Sequence, residues 1–164
     1  MTPEMYNAIL TKRKDNSLNE YKENALLTKN IIEEISQEHS LEVKKIHKNI
    51  YLNYNGKTVE FDVLIEAETP TGRKRWISVE LKDNDVSKVI NQAVVRRDFV
   101  DYSYIILNNN VKWIVQYLFY VWSETIKEYQ IGFFSNWDNK EIFILNSKFI
   151  SSKINIKLEE EEAQ

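Results

Sequence analysis

Apolar and polar residues alternate in two neighbouring segments, residues 59–65 and 76–82, and this alternation predicts two β-strands. Successive side chains of a strand point to opposite faces of the sheet. One face of each strand is therefore apolar and directed towards a core, with Phe61, Val63 and Ile65 in the first strand and Ile77, Val79 and Leu81 in the second.

The opposite faces of these strands carry Asp62 in the first and Glu80 with Lys82 in the second. Thr69-Pro70-Thr71-Gly72 lies between the strands and predicts a turn, because Pro and Gly interrupt regular structure. In a hairpin, Asp62 and the Glu80/Lys82 pair converge at one end of the sheet. Two carboxylates in one small volume suit a hard divalent ion such as Mg²⁺, and the lysine can stabilise charge on a phosphate.

The segment that follows, residues 85–100, has apolar residues at close to helical spacing and predicts a helix. Asp83, Asn84 or Asp85 can cap its N-terminus. Along this helix Lys88, Gln92 and Arg96 stack on one face, since each is four residues from the next. Residues 102–107 then predict a buried strand, which makes the helix a right-handed crossover between parallel strands.

The rest of the chain predicts further helices and strands around this unit. These are a helix over 18–38 capped by Asn16 or Ser17, a strand over 41–54 with an Asn55-Gly56 hairpin turn, an aromatic-rich helix over 111–128, a hairpin over 131–145 and an edge strand within 149–158. The order of elements predicts an α/β fold with a central mixed sheet flanked by helices.

Length and composition fit one domain over residues 1–158, followed by an acidic tail over 159–164. The net charge is −3, and removing the four glutamates of the tail changes it to −3 + 4 = +1, so local basic patches matter more than the total. There is no cysteine, which excludes disulfides and thiolate metal sites. No secretory leader or membrane-spanning run is visible, so we expect a cytoplasmic protein.

Phe61-Asp62-Val63 followed by Glu80-Leu81-Lys82 resembles the signature of the PD-(D/E)XK nuclease superfamily, although the proline before the aspartate is absent. The two parts are 80 − 62 = 18 residues apart, and the next helix carries Gln92-Ala93, as in several nuclease families. The resemblance covers roughly residues 18–107. It implies a three-layer restriction-endonuclease-like core and a metal-dependent endonuclease acting on DNA, of the junction-resolving, repair or restriction type.

The resemblance also implies roles for individual residues. Asp62 and Glu80 would bind Mg²⁺ or Mn²⁺, and Lys82 would position the attacking water and stabilise the charged phosphate. A helix glutamate would add a third carboxylate, Glu23 in preference to Glu20. Gln92 would hydrogen-bond near the metal, and five basic residues would contact the DNA backbone: Arg73, Lys74, Arg75, Lys88 and Arg96.

Two alternatives stay open at this point. The first is a catalytically silent module that keeps the nuclease fold and binds DNA or protein. The second is a structural dimerisation protein whose motif match is coincidental. The helix over 111–122 bears on the choice: core packing explains most of its aromatic residues, but its apolar residues surround it, which favours a homodimer interface. Stacking on unpaired bases is the third interpretation of these rings.

Overall fold

A computed structural model describes residues 7–12, 25–82 and 85–158. Eight strands form one sheet: β1 (Asn7–Lys12), β2 (Glu42–Tyr54), β3 (Lys57–Glu68), β4 (Lys74–Lys82), β5 (Tyr102–Leu107), β6 (Ile131–Trp137), β7 (Lys140–Leu145) and β8 (Asn155–Leu158). The described helices are α1 (Lys29–Glu38), α2 (Val86–Arg96), α3 (Val111–Tyr117) and α4 (Ser123–Tyr129). A single 3₁₀ turn, Arg97–Phe99, follows α2, and a π-helical turn, Leu118–Trp122, joins α3 to α4.

The sheet is mixed, with the strand order β7-β6-β5-β4-β3-β2-β1-β8. β2, β3 and β4 form an antiparallel meander, while β4, β5 and β6 are parallel to one another. The parallel pairing of β4 with β5 confirms that α2 connects two parallel neighbours, as the sequence predicts. The α/β class and the mixed sheet flanked by helices are therefore confirmed.

Helices cover both faces of the sheet. Ile31 and Ile35 of α1 pack in one cluster with Tyr104 and Ile106 of β5. The intervening residue Ile105 belongs to a second cluster, which contains the buried residues of α2, α3 and α4. Because adjacent residues of β5 point to opposite faces, α1 lies on one side of the sheet and the later helices lie on the other.

The predicted helix over 18–38 is wrong at its N-terminal end within the described residues. Residues 25–28 form a turn, and α1 begins at Lys29, where the Thr28 hydroxyl accepts a hydrogen bond from the Ile31 N–H. Leu26 and Leu27 are buried and so extend the apolar pattern, but they reach the core from this turn. Asn16, Ser17, Glu20 and Glu23 lie outside the described residues.

Both predicted hairpins are confirmed. Asn55 and Gly56 connect β2 to β3 with φ angles of 51° and 76°. Asp138 and Asn139 connect β6 to β7 with φ angles of 54° and 57°. Positive φ at both central residues is the geometry of a type I′ turn, whose twist matches that of the strands it joins. The predicted edge strand is also present as β8, parallel to β1, while the acidic tail lies beyond the described residues.

The aromatic helix exists, but core packing does not explain most of its rings. Trp113, Phe119 and Tyr120 are exposed, and Tyr117 and Trp122 are only partly buried. One side of this helix rests on the sheet through Ile114, Leu118 and Ile126, so residues on its other sides cannot reach the core. In the described part of the chain, no helix is long and apolar enough to cross a membrane.

Candidate functional site

The candidate site lies where β3 and β4 separate. Their pairing runs from Glu68 opposite Lys74 to Val63 opposite Val79 and ends there. Beyond that point β3 pairs with β2 alone and β4 continues along β5. Asp62 and Glu80, the next residue of each strand, therefore meet at the fork between the strands. The fold thus brings these two carboxylates together, as the sequence predicts.

The Asp62 side chain accepts a hydrogen bond that a backbone carbonyl of a paired strand would otherwise accept. Its Oδ2 atom accepts a hydrogen bond of 2.8 Å from the Leu81 N–H. This N–H lies just past the last β3–β4 pair, where a buried donor without a partner would be costly. The bond fixes the Asp62 carboxyl group beside β4, next to Glu80.

Glu80 is almost completely buried, with 2% of its surface exposed. Burial raises its pKa well above the usual value, and the negative charge of Asp62 raises it further. The side-chain contact with Asp62 acts in the same direction, and the positive charge of Arg96 opposes it. Glu80 therefore binds its proton more tightly than an exposed glutamate does.

Arg96, at the C-terminal end of α2, is the positive group of the site. Its Nε atom is 3.5 Å from Glu80 Oε1 and also donates to the Glu60 carbonyl. Its Nη1 atom donates to the Gln92 carbonyl at 2.9 Å. Only 13% of the side chain is exposed. The sequence predicts that Arg96 contacts DNA, and in the structure its guanidinium lies against the Glu80 carboxyl group.

The donor set fits a hard divalent cation. Glu80 Oε1 is buried and makes no hydrogen bond to the described residues, and two carboxylates side by side are the ligands that Mg²⁺ prefers. No group of three or more His, Cys, Asp or Glu side chains able to hold a metal occurs among the described residues. The predicted third carboxylate, Glu23, belongs to the segment 13–24 that the structure does not describe.

The remaining predicted residues near this site lie on β4 and α2. Lys82 is the last residue of β4, two positions beyond Glu80 and partly buried. Gln92 lies one helical turn before Arg96 on α2 and is partly buried, while Lys88 lies a further turn away and is exposed. The cap of this helix is Asp85, whose Oδ1 accepts from the Lys88 N–H at 3.1 Å, which selects one of the three predicted capping residues.

The basic triplet Arg73, Lys74 and Arg75 lies at the opposite end of the β3–β4 hairpin. Lys74 precedes Glu80 by six positions, which corresponds to about 20 Å along an extended strand. Lys74 Nζ is 3.0 Å from Glu66 Oε1, and the Arg75 guanidinium stacks 4.6 Å from the centre of the Phe149 ring. The fold therefore separates this triplet from the carboxylate pair.

A second polar cluster on the α1 side of the sheet was not predicted from the sequence. The Tyr104 hydroxyl donates to Asn146 Oδ1 at 2.6 Å and lies 2.5 Å from His39 Nε2. Asn146 in turn donates to Glu38 at 2.6 Å. Burial lowers the pKa of His39 and raises that of Tyr104. These residues are far apart in the sequence and share no motif, so no local pattern could have indicated the cluster.

No family model, curated protein or solved structure matches this chain. The residues of the fork and their arrangement are therefore the features that indicate a function.

Proposed function

We propose that the protein is a metal-dependent endonuclease that hydrolyses DNA phosphodiester bonds, with its active site at the fork between β3 and β4. The observation that carries the proposal is the contact between Asp62 and the buried Glu80, which have few reasons to meet in a purely structural site. A buried carboxyl group with a raised pKa, placed beside a second carboxylate, is typical of functional sites.

The order of elements supports the finer assignment to a restriction-endonuclease-like core. α1 precedes the antiparallel meander of β2, β3 and β4, and α2 then leads to β5, which is parallel to β4. This is the order in which the PD-(D/E)XK motif is expected, with the aspartate on one strand of the meander and Glu-x-Lys on the next.

In this proposal Asp62 and Glu80 would hold the metal, Mg²⁺ or Mn²⁺, with the Glu80 carboxyl group in its ionised form. The bound ion would supply positive charge to the phosphate and lower the pKa of a coordinated water. The hydrogen bond from the Leu81 N–H fixes the position of Asp62 beside Glu80. Lys82, on the same strand face as Glu80, would stabilise the charge that develops on the phosphate.

Arg96 balances the charge of the carboxylate pair in the absence of a metal. Because its Nε atom is 3.5 Å from Glu80 Oε1, the guanidinium would have to move away for Glu80 to hold a divalent cation. The released side chain would then be available to a DNA phosphate, as would Lys88 on the exposed part of α2.

The test is cleavage of labelled duplex, single-stranded, flap and four-way-junction DNA with Mg²⁺ or Mn²⁺. We expect cleavage by the wild-type protein and a loss of at least about 100-fold in Glu80→Gln, which keeps the shape of the side chain but cannot provide a charged ligand. Glu66→Gln is the matched control, since Glu66 lies on β3 about 13 Å further from the fork and pairs with Lys74.

Cleavage that is lost in Glu80→Gln and retained in Glu66→Gln supports the proposal, and the preferred DNA names the type of nuclease. Equal cleavage by wild type and Glu80→Gln contradicts the assigned site and indicates a contaminating nuclease. Thermal unfolding of both variants in the same buffer verifies that each is folded.

The second candidate is a catalytically silent module with the same fold, which binds DNA or protein. The observation that favours it is the burial of Glu80 beneath Arg96, because a cation already neutralises the pair. It predicts binding of DNA or protein without cleavage under any divalent ion, and no change of melting temperature when Mn²⁺ is added. The endonuclease proposal predicts a metal-dependent increase in melting temperature that Glu80→Gln abolishes.

A further inference from the structure

An exposed aromatic patch projects from the π-helical turn between α3 and α4. We define the patch as Phe119, Tyr120 and Val121, which are 72%, 82% and 57% exposed. Phe119 and Tyr120 directly follow the buried Leu118, so helical geometry turns them away from the sheet. In an α-helix Val121 would return towards the buried face, but the π-helical turn contains one residue more and turns it outward. Three consecutive apolar side chains are therefore exposed in the middle of a helical segment.

An apolar cleft lies directly beside the patch, between the helices and the edge strand β7. Its volume is about 560 Å³, and Phe119 forms part of its rim. The walls are mainly aliphatic: Leu118, Ile126, Ile131, Ile144 and Leu145. A projecting aromatic group and a cleft able to receive one therefore occur on the same surface.

The charges around this surface distinguish between possible occupants. Exposed charged residues of the helical segment are Lys112, Glu124, Lys127 and Glu128, and Lys127 lines the cleft together with the exposed Lys148. Both signs are present in nearly equal number. A nucleic acid or an anionic membrane would require an excess of positive charge, whereas a mixed surface can pair with a rotated copy of itself.

We infer that the aromatic patch and the cleft form a two-fold interface between two copies of this chain. In a two-fold dimer the same surface is used twice, so the Phe119 and Tyr120 rings of each copy occupy the cleft of the other. The two rings alone expose roughly 300 Å², and the walls of the cleft supply further area towards the approximately 800 Å² per partner of a stable interface. The inference is independent of the proposed nuclease activity.

Sedimentation velocity on the metal-free protein, over a range of concentrations without DNA, tests this interface. We expect a species of twice the chain mass of 19.6 kDa. Tyr120→Lys should weaken the dimer at least about 30-fold, because a central aromatic residue of an interface contributes strongly to affinity and the new positive charge would be repelled by Lys127 and Lys148, which line the cleft. Trp137→Lys is the matched control and should leave the dimer intact, since Trp137 is 47% exposed at the other end of β6.

Because Tyr120 is exposed, its substitution should not affect folding, and circular dichroism with thermal unfolding verifies this. Tyr120→Ala serves as a second variant that introduces no charge and should also weaken the dimer. A wild-type protein that remains monomeric at about 100 μM, where a dimer with a Kd below about 100 μM is detectable, overturns the inference. A dimer that survives in both Tyr120 variants overturns it as well, as does a monomer whose patch binds anionic vesicles or single-stranded DNA.

Discussion

The burial of Glu80 affects the stability of the folded protein and also supports the proposed function. Transferring a carboxyl group to the interior favours its neutral form, and the neighbouring Asp62 strengthens this effect. A purely structural site would be more stable with an amide or an apolar residue at this position. The protein instead keeps an ionisable group here and places the Arg96 guanidinium against it. In the proposed function this carboxyl group would hold the cation.

A pH series measures how much stability the folded protein loses when the buried Glu80 carboxyl group ionises. Folded Glu80 binds its proton more tightly than unfolded glutamate, whose pKa is about 4.3. The metal-free wild type should therefore lose stability as the pH rises from this value to the raised native pKa, and the loss is complete above that pKa. Glu80→Gln cannot ionise, so its free energy of unfolding relative to wild type should increase from pH 4 to pH 8.

Urea unfolding of wild type, Glu80→Gln and Glu66→Gln at pH 4, 6 and 8 provides the measurement. Glu66→Gln controls for the loss of a β3 carboxylate outside the fork. If the difference in stability between Glu80→Gln and wild type is the same at pH 4 and pH 8, the pKa of Glu80 is not raised in the folded protein.

At the scale of elements, short-range signals identified the strands and turns more reliably than the start of the first helix. The two-residue turns at Asn55-Gly56 and Asp138-Asn139 depend only on local backbone preferences, which the sequence displays. The beginning of α1 depends on which side chain caps the helix. Leu26 and Leu27 continue the apolar pattern through the preceding turn, so periodicity alone could not place the boundary at Thr28.

Substitution of Thr28 tests this boundary. The Thr28 hydroxyl accepts from the Ile31 N–H and donates to Glu141 of β7. Thr28→Val keeps the shape and removes the hydroxyl, so we expect a loss of about 1 kcal/mol in the free energy of unfolding. Thr28→Ser keeps the hydroxyl and should recover most of that loss. Urea unfolding of the three proteins decides, and equal stability of the two variants would show that Thr28 does not cap α1.

At the scale of the whole molecule, buried polar groups join segments that are distant in the sequence. The Arg97 guanidinium donates to the carbonyls of Val100, Asp101, Tyr129 and Lys148 at 2.7–3.2 Å. Burial lowers its pKa to about 10, so it remains charged at neutral pH. Arg97 thus ties the end of α4 and the segment after β7 to the beginning of β5, while Tyr104 connects β5 to α1 on the other face.

Tyr104→Phe tests the contribution of the second connection. The variant keeps the ring and removes the hydroxyl, which leaves His39 and Asn146 without this partner in a partly buried site. We expect a loss of about 1–3 kcal/mol in the free energy of unfolding. The control is Tyr120→Phe, whose exposed hydroxyl should contribute less than about 0.5 kcal/mol. Chemical denaturation measures the free energy of unfolding of both variants. Equal values would show that the Tyr104 hydroxyl does not stabilise the fold.

The sequence by itself determined the elements whose signals are local. Alternation specified β3 and β4, turn residues specified both hairpins, and helical spacing specified α2 between parallel strands. The same alternation placed Asp62 and Glu80 on adjoining strands. Because strand pairing follows from the meander, their convergence could be predicted without coordinates.

Only the tertiary structure decided how Asp62 and Glu80 are brought together and which other side chains surround them. The packing of α2 on the sheet places the Arg96 guanidinium against Glu80, which is buried at the point where β3 and β4 separate. The length of the hairpin places Arg73, Lys74 and Arg75 at its far end, and Phe119 and Tyr120 are exposed on the π-helical turn. Each of these outcomes depends on contacts between distant segments, and periodicity along the chain carries no information about such contacts.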